Sequence, residues 1–205
     1  SEDDPSGRYY YSYLSVRNRA LLTSDLWDKQ PEVNVVNGVV EEAMVSIIED
    51  ATLEAAIRQA LELDAEETLT DAHLVNLTGL DLFFPQSLSS LSGLEYAVNL
   101  QTLHVESWFL FLPDPDDGRF ALSNLTPLSN LTKLRTLSLA GCQIEDISPL
   151  AGLSSLVNVD LSRNNISQVP DLSALTNLSY LSLDQNQITE IGGLAGLPPI
   201  YHLDL

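Results

Sequence analysis

At 205 residues and 44% hydrophobic content, the chain can bury one sizeable core and carry a smaller attachment. Its 9 Lys+Arg against 29 Asp+Glu leave a net charge of −20, which repels nucleic acid and anionic membrane surfaces before contact forms. The one cysteine, Cys142, excludes an internal disulfide and a cysteine-based zinc cluster; no apolar run reaches the roughly 18 residues of a membrane span, and Ser1 opens no basic-then-apolar leader, as expected of a mature or trimmed product.

Residues 1–44 form a β-rich segment without repeats. The run from Tyr9 to Val16 favours a strand, and Asn37-Gly38 between β-branched residues predicts a hairpin centred on that turn. The segment fits the remainder of a neighbouring domain, an extra cap, or a strand donated to another subunit in self-association. Residues 45–76 read as a helical cap. Asp50 to Glu62 is amphipathic, with Leu53, Ile57, Ala60 and Leu61 on one face, and Thr70 is placed to N-cap a second short helix through Leu74.

From residue 77 onward one pattern returns. Leu77-x-x-Leu80-x-Leu82 and Leu100-x-x-Leu103-x-Val105 are degenerate copies, with Pro85 and Trp108 standing at a turn position that later copies give to asparagine. Leu134, Leu156, Leu178 and Ile200 then open copies at a constant spacing of 22 residues, the mark of a stacked solenoid. The spacing from Leu100 to Leu134 is 34 residues, so an insertion lies at about 109–121, where Pro113 to Gly118 carries turn chemistry. Each L-x-L is a short strand by its period of two, and Ile147, Leu150 and Leu153, three apart, predict a 3₁₀ or loosely helical return. Asn164 and Asn186 sit where the chain leaves the strand, a place where an amide can bond the backbone of its own and the neighbouring coil; Cys142 fills that slot in its own coil. One coil cannot offset its own chain entropy, so stacking is compulsory. The last residues, Leu203-Asp204-Leu205, stop inside a strand, and more chain is expected to follow.

This pattern resembles the bacterial leucine-rich repeats of the internalin type over roughly residues 122–205. With the helical cap the resemblance begins near Ile48 and covers about three quarters of the chain. It implies an α/β solenoid of 22-residue leucine-rich repeats over residues 77–205, with short parallel strands on the concave face.

The residues flanking the strand leucines can be placed in columns on that face. One column reads Asp81, His104, Ser138, Asp160, Ser182, Asp204. Its Asp-His-Ser start invites a hydrolase reading, but a flat sheet supplies neither an oxyanion hole nor a water-excluding pocket. The candidate binding residues of the concave face are His104, Glu106, Asp160, Tyr180, Asp184, His202 and Asp204, with Tyr201 at the same end. Phe83, Phe84, Trp108, Phe109 and Phe111 concentrate aromatic surface near the insertion, suited to an interface, a sugar platform or packing under the loop. Asp114, Asp116 and Asp117 cluster in the insertion, and Asp160, Asp184 and Asp204 on neighbouring strands; calcium is the candidate cation at either place, and no other cofactor is expected. The Asn-Leu-Thr triplets at Asn76, Asn124 and Asn130 follow from the repeat consensus.

The resemblance implies a non-enzymatic, extracellular or cell-surface recognition or adhesion module that binds protein or glycan. Two other roles fit the sequence: a subunit that joins through residues 1–44 into a filament or matrix, and an intracellular phosphatase-regulating repeat protein in the cytoplasm.

Overall fold

The computed structural model describes residues 34–36, 39–41, 46–64, 66–83, 87–106 and 122–205. The chain divides into two units, 1–45 and 46–205. In the first, β1 (Asn34–Val36) pairs antiparallel with β2 (Val39–Glu41), Val36 opposite Val39, so the paired strands flank Asn37-Gly38 as that dipeptide predicts. The strand expected at Tyr9 to Val16 lies outside the described residues.

The second unit opens with α1 (Ala51–Ala60), started by Asp50. One Asp50 oxygen accepts from the Thr52 and Leu53 N–H at 2.9 and 3.0 Å. The other accepts from the Ser89 N–H and hydroxyl at 2.8 and 2.9 Å, which ties the helix start to the first coil. Leu53 and Ile57 are buried, and Ala56 and Leu61 pack partly against the core. Ala60 is exposed, contrary to its expected place on the apolar face, because its short side chain lines an open groove between α1 and the first strand and does not fill it. Thr70 begins α2 (Asp71–Leu74) as expected. The Thr70 N–H donates to His73 Nδ1 at 3.1 Å, which puts the ring proton on Nε2, facing Glu67 Oε1 at 3.1 Å.

Among the described residues six parallel strands follow, each from one coil: β3 (Gly79–Phe83), β4 (Thr102–Glu106), β5 (Thr136–Ser138), β6 (Asn158–Asp160), β7 (Tyr180–Ser182) and β8 (His202–Asp204). Leu80, Leu103, Leu137, Val159, Leu181 and Leu203 lie in one register across the sheet, so the degenerate copies before residue 106 are true coils. The inward side chains of β3 to β7 are buried in a single leucine core, and alternation sends their neighbours to the opposite face. The returns include 3₁₀ turns at Leu94–Tyr96, Thr126–Leu128, Ser148–Leu150 and Gly192–Leu194. Between β6 and β7 the return is not 3₁₀. There the Leu172 N–H bonds the Gly193 carbonyl of the next coil at 3.0 Å, and a side chain at Gly193 would collide with the Val169 and Pro170 carbonyls.

At the strand exits the asparagines bridge the coils. Asn164 Oδ1 accepts from the Cys142 and Ile144 N–H, each at 3.0 Å, and Nδ2 donates to the Leu139 and Leu161 carbonyls at 2.9 Å. Asn186 repeats this one coil later with Ile166, Leu161 and Leu183. Gly141, Arg163 and Gln185 share the preceding turn position, all with positive φ (72°, 59° and 55°), so two coils hold an ordinary side chain where only glycine is free of strain. Cys142 is buried, bonds its own Ala140 carbonyl and, among the described residues, reaches no further coil through its side chain. Burial pushes its thiol up to about 12, which keeps it protonated near neutrality.

Two outcomes test this reading. Asn164→Ala takes the side-chain partner from the Cys142 and Ile144 N–H groups and the Leu139 carbonyl in the core, while Leu161 keeps Asn186, so it should cost about 2–4 kcal/mol; Asn186→Ala, at the half-buried coil, should cost less. Urea unfolding of both variants checks the order, and a reversed order would refute the ladder account. Asp50 supplies the second. Burial pushes its carboxyl up, but donors from Ser89, Leu53 and Thr52 outweigh this and hold it below the ordinary carboxylate range. With the folded pKa below the unfolded one, the ionised cap stabilises the fold above about pH 4, and the contribution is lost as pH falls through the folded value. Asp50→Ala should therefore cost about 1–2 kcal/mol at pH 7 and clearly less at pH 2.5, read from denaturant unfolding at both pH values.

Candidate functional site

The sheet face opposite the leucines carries two columns set by the register. One runs Gly79, Thr102, Thr136, Asn158, Tyr180, His202; the other runs Asp81, His104, Ser138, Asp160, Ser182, Asp204. Neighbours within a column are one strand spacing apart, about 4.8 Å. The second column is the one expected from the sequence.

At the α1 end of this face, Asp81 Oδ1 meets His104 Nδ1 at 2.8 Å, both side chains partly in solvent. Beside them an open groove of about 610 Å³ runs between α1 and β3, lined by Ala55, Ala56, Ala60, Asp81 and Phe83. Phe83 is 59% exposed, so of the expected aromatic cluster it presents its ring to solvent; Phe84, Trp108, Phe109 and Phe111 lie outside the described residues. Glu106 ends β4 opposite Phe83 in the register. Among the described residues no hydrogen bond joins His104 to Ser138, so the Asp-His pair is not extended to a nucleophile.

At the other end, the Tyr180 and His202 rings stack with centroids 4.7 Å apart and planes 6° from parallel. Tyr201, expected on the same face, is 93% exposed but one residue out of phase. Its N–H bonds the Ser179 carbonyl, so it falls in the position before the strands and not in either column. The three carboxylates expected together are also separated. Asp160 and Asp204 share a column with Ser182 between them, two strand spacings or about 9.6 Å apart, and Asp184 follows β7 outside both columns. Asp160 accepts from the Ser162 N–H at 3.0 Å and Asp184 from Gln185 Nε2 at 2.9 Å. Direct oxygen ligands to calcium lie at about 2.3–2.6 Å, so this trio does not converge on one ion. Among the described residues no group of three or more His, Cys, Asp or Glu is placed to hold a metal. Asp114, Asp116 and Asp117 lie outside the described residues.

The face is thus a rigid, open platform: acids and histidines without Lys or Arg in its two columns, an aromatic stack at one end and an apolar groove at the other. No helix among the described residues is long and apolar enough to cross a membrane. One feature of the flank was not foreseen from the sequence: Lys133 and Arg135 face one groove beside the strand starts. Their Lys-x-Arg spacing was the available signal.

If Tyr180 stacks on His202 in solution, Tyr180→Ala should remove the upfield ring-current displacement of the His202 ring protons in NMR spectra. The accompanying loss of stability should stay near the aromatic-pair value of about 1 kcal/mol. Unmoved His202 resonances would show that the stack does not form.

The leucine-rich-repeat family model for two-copy repeats matches residues 132–174 and 154–196. No curated protein sequence matches the chain. Among solved structures, an internalin (inlF) from Listeria monocytogenes is 28% identical with a TM-score of 0.57, over 77% of this chain and 49% of that one. Internalin C2 from the same organism is 29% identical with a TM-score of 0.50, over 77% of this chain and 74% of that one. A leucine-rich-repeat protein from Leptospira interrogans, 23% identical with a TM-score of 0.55 over 67% of this chain and 34% of that one, shares the fold. The chain therefore spans about half the length of the first internalin.

Proposed function

We propose that this chain, which is a leucine-rich-repeat protein of the bacterial internalin-like type, is an extracellular or cell-surface recognition module that binds a protein ligand on its outward sheet face. The fold itself is that of a protein-interaction repeat module. The observation that carries the finer reading is the register. It aligns Asp81, Asp160 and Asp204 with two histidines and the Tyr180–His202 stack on one open face, with the leucine core behind β3 to β7. Such a face needs little reordering to bind, so its polar and aromatic contacts are not offset by a large loss of chain entropy. With acids and no Lys or Arg in its columns it suits a ligand of basic character, approached by electrostatic steering. The cell-surface setting is supported by the internalin-like resemblance. No catalytic role is assigned, because the Asp81–His104 pair stands on an open sheet without an oxyanion hole.

The test is a comparison of charge-matched variants against cell-surface proteins in biolayer interferometry. Asp160→Lys with Asp204→Lys should weaken a bound ligand at least about tenfold, chiefly through slower association. Glu145→Lys with Asp146→Lys, on the return side of a coil, should leave it within about twofold. Equal losses in both variants would reduce the effect to net charge and defeat the face assignment, and a ligand that proves to be a free glycan would overturn its protein class.

A further inference from the structure

We propose a second binding site on the flank of the repeats, a basic groove that docks a carboxylate-bearing peptide segment of a protein partner. It is distinct from the outward face and does not rest on the function assigned there. The groove lies where the returns enter the strands. Gln101, Arg135 and Val157 follow one another across the coils, the Arg135 N–H bonding the Gln101 carbonyl and the Val157 N–H the Arg135 carbonyl, both at 2.8 Å. Two residues before Arg135, Val157 and Ser179 stand Lys133, Ser155 and Asn177, at 22-residue intervals. Gln101, Arg135 and Val157 with Lys133, Ser155 and Asn177 line an open groove of about 480 Å³.

Its charge runs against the rest of the molecule. Acids outnumber bases 29 to 9 in the chain, yet the lining holds two cations and no carboxylate. Among the described residues Arg58 pairs with Glu54, and the His73 and His104 rings each meet a carboxylate; neither Lys133 nor Arg135 enters such a contact. Lys133 is instead held by a neutral partner: its Nζ donates to Asn99 Oδ1 at 2.6 Å, and Asn99 Nδ2 donates to the Val75 carbonyl at 2.7 Å. The lysine is thereby positioned while its charge stays uncompensated and two of its three N–H donors stay available. Asn177 is fixed in the same manner, Nδ2 on the Ser154 carbonyl at 2.8 Å. The Arg135 guanidinium adds a planar fork matched to a carboxylate.

The size of the anion follows from screening. At physiological salt a charge is felt over about 8 Å, so a short acidic segment senses the two cations, while a long polyanion extends over the surrounding acidic surface and is repelled. The half-buried Val157 in the lining adds an apolar contact that the methylenes of Asp or Glu use and that inorganic phosphate cannot.

The test uses the full chain and a fluorescein-labelled alanine peptide carrying two adjacent glutamates with blocked ends, followed by anisotropy. Saturable, salt-sensitive binding is expected, at least tenfold weaker in Lys133→Gln with Arg135→Gln. It should be unchanged in Arg163→Gln, which removes a cation elsewhere, and in Tyr180→Ala on the outward face. Circular dichroism confirms that the exposed substitutions leave the fold intact. Binding that survives the double change, or that is lost instead in Tyr180→Ala, overturns the groove. Equal competition by inorganic phosphate, or tighter binding of a sulfated oligosaccharide, overturns the peptide assignment.

Discussion

The structure of the second unit depends on satisfying the backbone where each strand turns out of the sheet. A 22-residue coil cannot close its own hydrogen bonds there: the carbonyls of residues such as Leu139 and Leu161 and the N–H groups of Cys142 and Ile144 point into a leucine core that offers no water. Asn164 and Asn186 resolve this by bonding two coils with one amide. A leucine in that slot would bury more apolar surface and leave those groups without partners, each at a cost of about 1–3 kcal/mol. The same bonds lock neighbouring coils in register, so the polar ladder and the apolar core specify one stacking between them.

Everything displayed on the sheet follows from that register. Because β3 to β8 step by one strand spacing with their leucines aligned, residues flanking a leucine form straight columns whose chemistry is a list of single side chains. The acids and histidines therefore accumulate on one face and the Lys133–Arg135 pair on the flank. The two surfaces call for partners of opposite charge, so the same group of a ligand does not serve both.

Much of this was legible in the sequence because the fold is nearly one-dimensional. A constant spacing gives the coil, the period of two gives the columns, and the adjacency of Asp81 and His104 follows from counting, although the two coils are degenerate at the turn. What could not be counted was anything set by distance across the fold. Ser89 on Asp50 joins residues 39 apart through a contact with no local signature. Ala60 has the right period for burial, but exposure there depends on the width of the gap to β3. Tyr201 was assigned to the face by proximity in sequence, when a shift of one residue moves a side chain out of the columns. The flank groove was missed because it is assembled from the residues before the strands, positions that a strand-centred reading treats as connections.

The rigidity of the platform bears on how it can bind. Among the described residues, the strands are short, their backbone groups bond from coil to coil, and a leucine core backs β3 to β7. A ligand gains nothing from reshaping such a face, so specificity has to come from the column residues themselves: which acids, which ring, and how far apart. Changing a column residue leaves the core untouched, since its side chain points away from the leucines, whereas changing a leucine or a ladder asparagine disturbs every coil that stacks on it. The fold thus separates the residues that hold it together from those that choose a partner, and this separation is what lets one repeat pattern present unrelated surfaces.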